Sequence, residues 1–229
     1  MSLLCCSVFT RSFFWTHSQR MAGRGALVVL EGCDHSGKST QCKRLVECLQ
    51  QRNIPVKPFR FPDRRTSIGQ MINGYLGNKQ DIEDHAVHLL FSANRWELVP
   101  RMKTLLEEGT TLIVDRYAFS GVAFTAAKQG FTIDWCKQPD IGLPRPDLVL
   151  FLNLSADAAA KRGTFGNERY EQTDFQVKVA NNFLQLKEPY WQEIDADKPE
   201  NVLTTELKDI LLNTISNVGD KPLKKLWCD

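Results

Sequence analysis

Apolar residues along this chain fall into two kinds of stretch: short unbroken runs, and longer segments in which they recur every three or four positions. Unbroken aliphatic runs suit strands buried on both faces, and the spaced segments suit helices with one buried face. The runs are Ala26–Glu31 (ALVVLE), Val56–Phe61, Thr111–Val114 (TLIV), Asp147–Leu154 (DLVLFLNL) and a weaker one at Trp191–Asp195. Asp147–Leu154 is the most apolar, so a central place in the sheet is expected for it. Between the runs the spacing predicts helices over Lys38–Gln51, Ser67–Leu76, Asp81–Glu108, Phe119–Lys128, Ala156–Arg162, Asp174–Leu186 and Glu200–Ile215. Asp81 is the expected N-cap of the long helix and Gly109 its stop, with Pro100 kinking or breaking it. Asp140–Pro146, rich in Pro and Gly, reads as loop. Strands alternating with helices imply βαβ units, hence an α/β fold of three layers with a five-stranded parallel sheet in the middle.

Composition narrows the class without naming it. A chain of 229 residues suits one such domain plus a short extension. A net charge of +2 argues against a protein that coats nucleic acid, so any basic site must be local. Seven cysteines, an odd number with no C-x-x-C pair, predict neither a disulfide framework nor a zinc site, and fit a reducing compartment, cytoplasmic or nuclear. No apolar run approaches the length of a membrane span. Residues 1–24 read as a leader ahead of a domain at 25–229. The first twenty residues carry Arg11 and Arg20 and no acid, the composition of a mitochondrial transit peptide, and equally that of an unstructured leader or of sequence upstream of a second start at Met21.

The sharpest chemical signal is Gly32-Cys33-Asp34-His35-Ser36-Gly37-Lys38-Ser39, which fits G-x-x-x-x-G-K-S/T. It follows an apolar strand and opens an amphipathic helix, the context in which this pattern builds a phosphate-binding loop. Its glycines let backbone N–H groups converge, and the helix adds its own free N–H groups and positive dipole end. Lys38 is placed for the β- and γ-phosphates of a nucleoside triphosphate and the Ser39 hydroxyl for Mg²⁺, with Gly32, His35, Ser36, Gly37 and Thr40 completing the cradle.

Other candidates are weaker one by one. Asp115-Arg116-Tyr117 stands at the carboxyl end of a strand, where open α/β sheets bind ligands, so Asp115 is a second Mg²⁺-organising carboxylate and Arg116 a bridge between phosphates. Phe91 and Arg95, four apart on a helix, share a face suited to stacking on a nucleobase and donating to it, although a core Phe and a surface Arg fit as well. Arg64, after the second strand, suits a monophosphate or plain solvent. His85 and His88 lack a third ligand nearby and read as structural. Residues 161–171 combine two glycines with Lys161, Arg162 and Arg169, as in a mobile lid of about 156–171 whose cations close over phosphates, or in a solvated loop.

Taken in order, LEGCDHSGKST, FRFPDR, DHAVHLLFSANRWE, VDRYAFSGVAFT, WCKQPDIGLPRPDLVLFL and KRGTFGNERYE resemble the thymidylate kinases of the eukaryotic type, from about Gly25 onward. The resemblance implies a P-loop nucleoside monophosphate kinase that uses Mg²⁺-ATP to phosphorylate dTMP to dTDP, as a homodimer. It implies that Phe91 stacks on thymine, Arg95 reads its O4, Arg64 and Arg116 hold the acceptor phosphate and Asp34 takes the 3′-hydroxyl. Phe124 and Tyr170 would line the sugar pocket and crowd a 2′-hydroxyl, flanked by Ser120 and Gly121. Arg162 would cover the ATP side as a catalytic cation, and Ala196–Lys198 would meet adenine. In one place the chain departs from the pattern: such kinases usually carry arginine where His35 stands. Histidine is charged only in part near neutral pH, so a slow enzyme with a pH-dependent rate is expected unless Arg162 and Arg169 compensate.

Two rivals stay open on the sequence. A deoxynucleoside kinase would phosphorylate a 5′-hydroxyl and benefit from a carboxylate base. A decayed nucleotide-binding protein would rest on His35 alone, against intact Lys38, Ser39, Asp115 and Arg116.

Overall fold

In the computed structural model of the chain, described at residues 23–155, 158–159 and 168–228, five strands form one parallel sheet. The strands are β1 (Leu27–Glu31), β2 (Val56–Arg60), β3 (Thr111–Asp115), β4 (Leu148–Asn153) and β5 (Trp191–Asp195), in the spatial order β2-β3-β1-β4-β5. All five expected strands are present. β1 lies between β3 and β4, in register Val28 with Ile113 and with Leu148, and every residue of β1 and β3 is buried. That burial on both faces is why these segments read as unbroken apolar runs. β2 is an edge strand, where Pro58 costs no ladder hydrogen bond that the sheet needs.

The helices are α1 (Lys38–Gln51), α2 (Ser67–Leu76), α3 (Asp84–Trp96), α4 (Val99–Glu107), α5 (Ala118–Ala126), α6 (Ile133–Lys137), α7 (Thr173–Gln185) and α8 (Glu200–Ser216). Alternate strand residues supply two cores. Val28, Leu30, Ile113, Leu150 and Leu152 pack under α1 and α8 with Leu45, Leu49, Leu203 and Leu207, while Leu27, Val29, Val114, Val149 and Phe151 pack with Phe119, Phe183 and Met102 on the other face. A third, smaller cluster of Ile72, Tyr75, Leu76 and Val87 joins α2 to α3 beside the sheet's carboxyl edge.

The long helix expected over Asp81–Glu108 is two helices. α3 is capped by Glu83, whose carboxylate accepts the N–H groups of His85 and Ala86, so Asp81 is not its cap. Pro100 sits in the first turn of α4, where a missing N–H is harmless, and so opens a helix instead of kinking one. α6 was not anticipated; the Thr132 side chain caps it, but five residues are too few to show a period. The helix expected over Ala156–Arg162 and most of the lid lie outside the described residues.

Late in the chain, residues 224–226 return to the loop after Asp140. Gly142 and Arg145 donate backbone N–H bonds to Leu226 and Lys224, and Leu226 donates to Leu143 at 2.7 Å. Among the described residues no helix is long and apolar enough to cross a membrane.

Candidate active site

The carboxyl ends of β1, β3 and β2 open into one cleft of about 720 Å³. On one side the residues from Asp34 to Gln41 wrap it, with Ala196, Lys198 and Leu203 beyond. On the other stand Arg64, Phe91, Arg95, Ser120, Gly121, Phe124 and Tyr170, and Arg116 lies between. The phosphate-loop residues and the scattered acceptor-side candidates thus face a single space.

The loop has the backbone its sequence calls for. Gly32 has φ 145°, and a Cβ there would stand 2.6 Å from the Leu152 carbonyl oxygen, so only glycine fits between β1 and β4. Gly37, at φ 92°, turns the chain into α1. Lys38 is 5% exposed and donates to the Cys33 carbonyl at 2.6 Å and to Ser36 Oγ at 3.1 Å. Burial, reinforced by the neighbouring Arg116, pushes the Lys38 ammonium down to about 8. Ser39 Oγ donates to Asp115 Oδ2 at 2.6 Å, which brings together two hard oxygen ligands beside the phosphate loop.

Arg116 follows β3 with φ 65°, a left-handed backbone that arginine adopts only when its surroundings impose it. They do so through Glu31, which is fully buried at the end of β1 and accepts from Tyr117 N–H at 2.9 Å, Ser120 N–H at 3.1 Å and Ser120 Oγ at 2.6 Å. The guanidinium donates to the Gly32 carbonyl and to Ser120 Oγ, both at 3.1 Å, and pairs with Asp34. Burial alone would raise the Asp34 carboxyl, but Arg116, Lys38 and the Gln176 amide outweigh it and hold it below its ordinary value. Asp34 is therefore an ionised acceptor facing the cleft.

The acceptor side is braced from behind by residues that spacing did not reveal. Asp140, fully buried, takes Arg95 Nε at 3.1 Å and Nη2 at 2.5 Å, and accepts Ser92 Oγ at 2.7 Å. A Cβ on Gly121 would come within 2.9 Å of that guanidinium, so this glycine is required by Arg95 as much as by the pocket. Asn94 Oδ1 accepts Asp63 N–H at 2.7 Å and fixes the turn that carries Arg64. Gln176 takes Asp34 N–H at 3.1 Å and donates to the Asp34 carboxylate at 2.7 Å and the Tyr170 carbonyl at 2.9 Å. Each of these residues stands far along the chain from its partner, so no local pattern marked it. For Ser92, Asn94 and Gln176 the available signal was polarity inside an amphipathic helix, and Asp140, at the edge of a stretch read as loop, carried none.

Other expected residues divide. Arg64 pairs with Glu168 at 2.8 Å. His35, at φ 60°, sits 3.2 Å from Glu171 across the mouth of the cleft. Arg169 does not line the cleft: it pairs with Asp81 at 2.5 Å and lies 4.1 Å over the Tyr75 ring, on the wall behind α2. Arg162 lies outside the described residues. His88 is buried against Thr125 Oγ1 and the Cys136 carbonyl, and His85 pairs with Glu83, which makes both structural.

A strand, a glycine-rich phosphate loop ending in Gly-Lys-Ser, and a carboxylate on the adjacent strand, all on a parallel sheet, define a P-loop phosphotransferase of the nucleotide-kinase class. The family model described as thymidylate kinase matches residues 30–207. The thymidylate kinase of Danio rerio is 54% identical over 89% of this chain and 98% of its own length, and that of Homo sapiens 53% identical over 90% and 99%. The solved thymidylate kinase of Candida albicans superposes with a TM-score of 0.81 at 40% identity, covering 89% of this chain and 99% of its own. This chain belongs to the thymidylate kinase family.

Proposed function

We propose that this protein transfers the γ-phosphoryl group of ATP to dTMP, giving ADP and dTDP. The observation that carries this is the single cleft in which Lys38 and the loop N–H groups face Arg64, Phe91 and Arg95. A donor polyphosphate and an acceptor monophosphate fit end to end there, with Arg116 at the junction.

The acceptor phosphate is already anionic at neutral pH, so the reaction needs alignment and charge stabilisation and no general base. Lys38 and Arg116 supply positive charge to the moving group, and the burial of Lys38 strengthens its field by excluding water. Arg64 fixes the acceptor phosphate. Phe91 stacks on thymine and Arg95, locked by Asp140, donates to its carbonyl edge. Asp34 accepts the 3′-hydroxyl, Phe124 and Tyr170 border the sugar, and Ala196 with Lys198 border adenine. Ser39 and Asp115 fit Mg²⁺: both offer hard oxygens 2.6 Å apart at the loop, and Mg²⁺ needs few protein ligands when phosphates supply the rest. When bound there, Mg²⁺ neutralises phosphate charge.

A coupled ADP-release assay with Mg-ATP and dTMP, dUMP, UMP or thymidine tests this reading. Turnover with dTMP well above UMP and thymidine is expected. Phosphorylation of thymidine alone would instead indicate a nucleoside kinase, and ATP binding without turnover a decayed one. The domain acts as a homodimer in the cytosol or nucleus, and fusing residues 1–20 to a fluorescent reporter decides whether that segment also directs it to mitochondria.

A further inference from the structure

Behind the sugar end of the cleft lies a partly buried polar relay to which the assigned roles give no task. The Tyr170 hydroxyl donates to Tyr75 Oη at 3.1 Å. Lys128 Nζ donates to the same oxygen at 3.1 Å and to Asp84 Oδ1 at 2.6 Å. Tyr75 in turn directs its own proton at Asp84 Oδ1, 3.5 Å away. A hydroxyl has one proton and two lone pairs, so Tyr75 Oη is fully used by these three neighbours. Burial pushes the Tyr170 phenol far above its ordinary value, which keeps it a donor. The relay therefore closes in one arrangement only.

That arrangement fixes a ring. Tyr170 stacks on Phe175 with centroids 5.2 Å apart and planes 10° apart, and it tilts against Phe124 at 5.6 Å. Its backbone carbonyl is held by Gln176, which also holds Asp34. The Lys128 ammonium lies 5.2 Å from the Tyr170 centroid and 5.5 Å from that of Tyr75. Lys128 lines no part of the cleft, and its side chain is only 10% exposed. Taking an ammonium largely out of water is costly, and here it serves two phenol rings and one carboxylate outside the cleft lining.

We propose that Lys128, acting through Tyr75, is a positioning residue that holds the Tyr170 ring against the acceptor sugar and sets how strictly the site refuses a 2′-hydroxyl. This rests on the reading that Tyr170 borders the sugar of the acceptor. With the relay intact, the ring cannot retreat to admit an extra oxygen. Without it, the hydroxyl end of Tyr170 loses its anchor and the wall yields.

The test compares dUMP with UMP, which differ only at the 2′-position, as acceptors for the full chain with Mg-ATP, with dTMP as reference. In Lys128→Met and in Tyr75→Phe, which removes a single oxygen, the dUMP-to-UMP ratio of kcat/KM falls about tenfold. The fall comes through a lower KM for UMP, while kcat for dTMP changes less than about threefold. Lys128→Arg keeps the ratio. A folded variant with an unchanged ratio, or with equal losses on both acceptors, overturns the proposal and leaves the dTMP reading standing. A wild-type protein inactive on dTMP overturns both.

Discussion

Lys38 shows how function sets the energy of a single residue. Burial and the neighbouring Arg116 push its ammonium down to about 8 from the ordinary 10.5, a difference of roughly 3 kcal/mol against carrying the charge in the fold. The unfolded chain binds the extra proton between these values, so the Lys38 contribution to stability rises as pH climbs from about 8 to 10.5. Lys38→Met removes that cost: a melting temperature equal to or above wild type is expected, with turnover down at least about a hundredfold. Polyphosphate beside Lys38 favours the charged form, so ATP binding takes up protons near pH 8 and weakens as pH rises further. Titration calorimetry in buffers of different ionisation enthalpy reads this directly. His35 is the counterpart, the position at which the resemblance leads one to expect arginine. His35→Arg is expected to raise kcat severalfold by adding a permanent cation to the phosphate loop. An unchanged kcat would show that other cations already do this work.

At the scale of elements, one helix carries the acceptor side. α3 presents Phe91 and Arg95 to the cleft and uses Ser92 and Asn94 to grip two loops, those of Asp140 and Asp63. Asp140→Asn leaves Arg95 without its counter-charge in a buried place; a loss of about 3–5 kcal/mol in denaturant unfolding is expected, with a raised KM for dTMP. The phosphate loop was legible from the sequence because a motif is a local property, whereas the spacing of Phe91 and Arg95 fitted a core and a surface residue as well, and only the resemblance singled them out. Asp140, Glu31 and Gln176 were not legible, because a buried polar residue shows its role only through a partner that the fold brings to it. The interruption at Pro100 was expected as a kink or a break; the structure resolves it as a break, because Pro100 opens α4, a choice that spacing alone does not make. Four strands were plain because each is a solid apolar run or closed by turn residues; β5, half exposed, gave only a weak run, and α6 is too short to carry a period.

For the whole molecule, surface patterning bears on the homodimer proposed above. Leu89 and Trp96 lie seven residues apart on α3, hence on one face, and are 49% and 37% exposed. Apolar side chains so placed suit contact with a second copy. Leu89→Glu is expected to shift the mass in sedimentation or light scattering from dimer toward monomer, with the cleft of each copy intact.

The pairing of residues 224–226 with Gly142, Leu143 and Arg145 ties a distant stretch of chain to the loop that carries Asp140. The carboxylate that grips Arg95 therefore sits in a loop anchored from outside the sheet. A chain cut just before Lys224 loses those three backbone bonds, and its Asp140 loop is expected to loosen while β1, β3 and β4 stay paired.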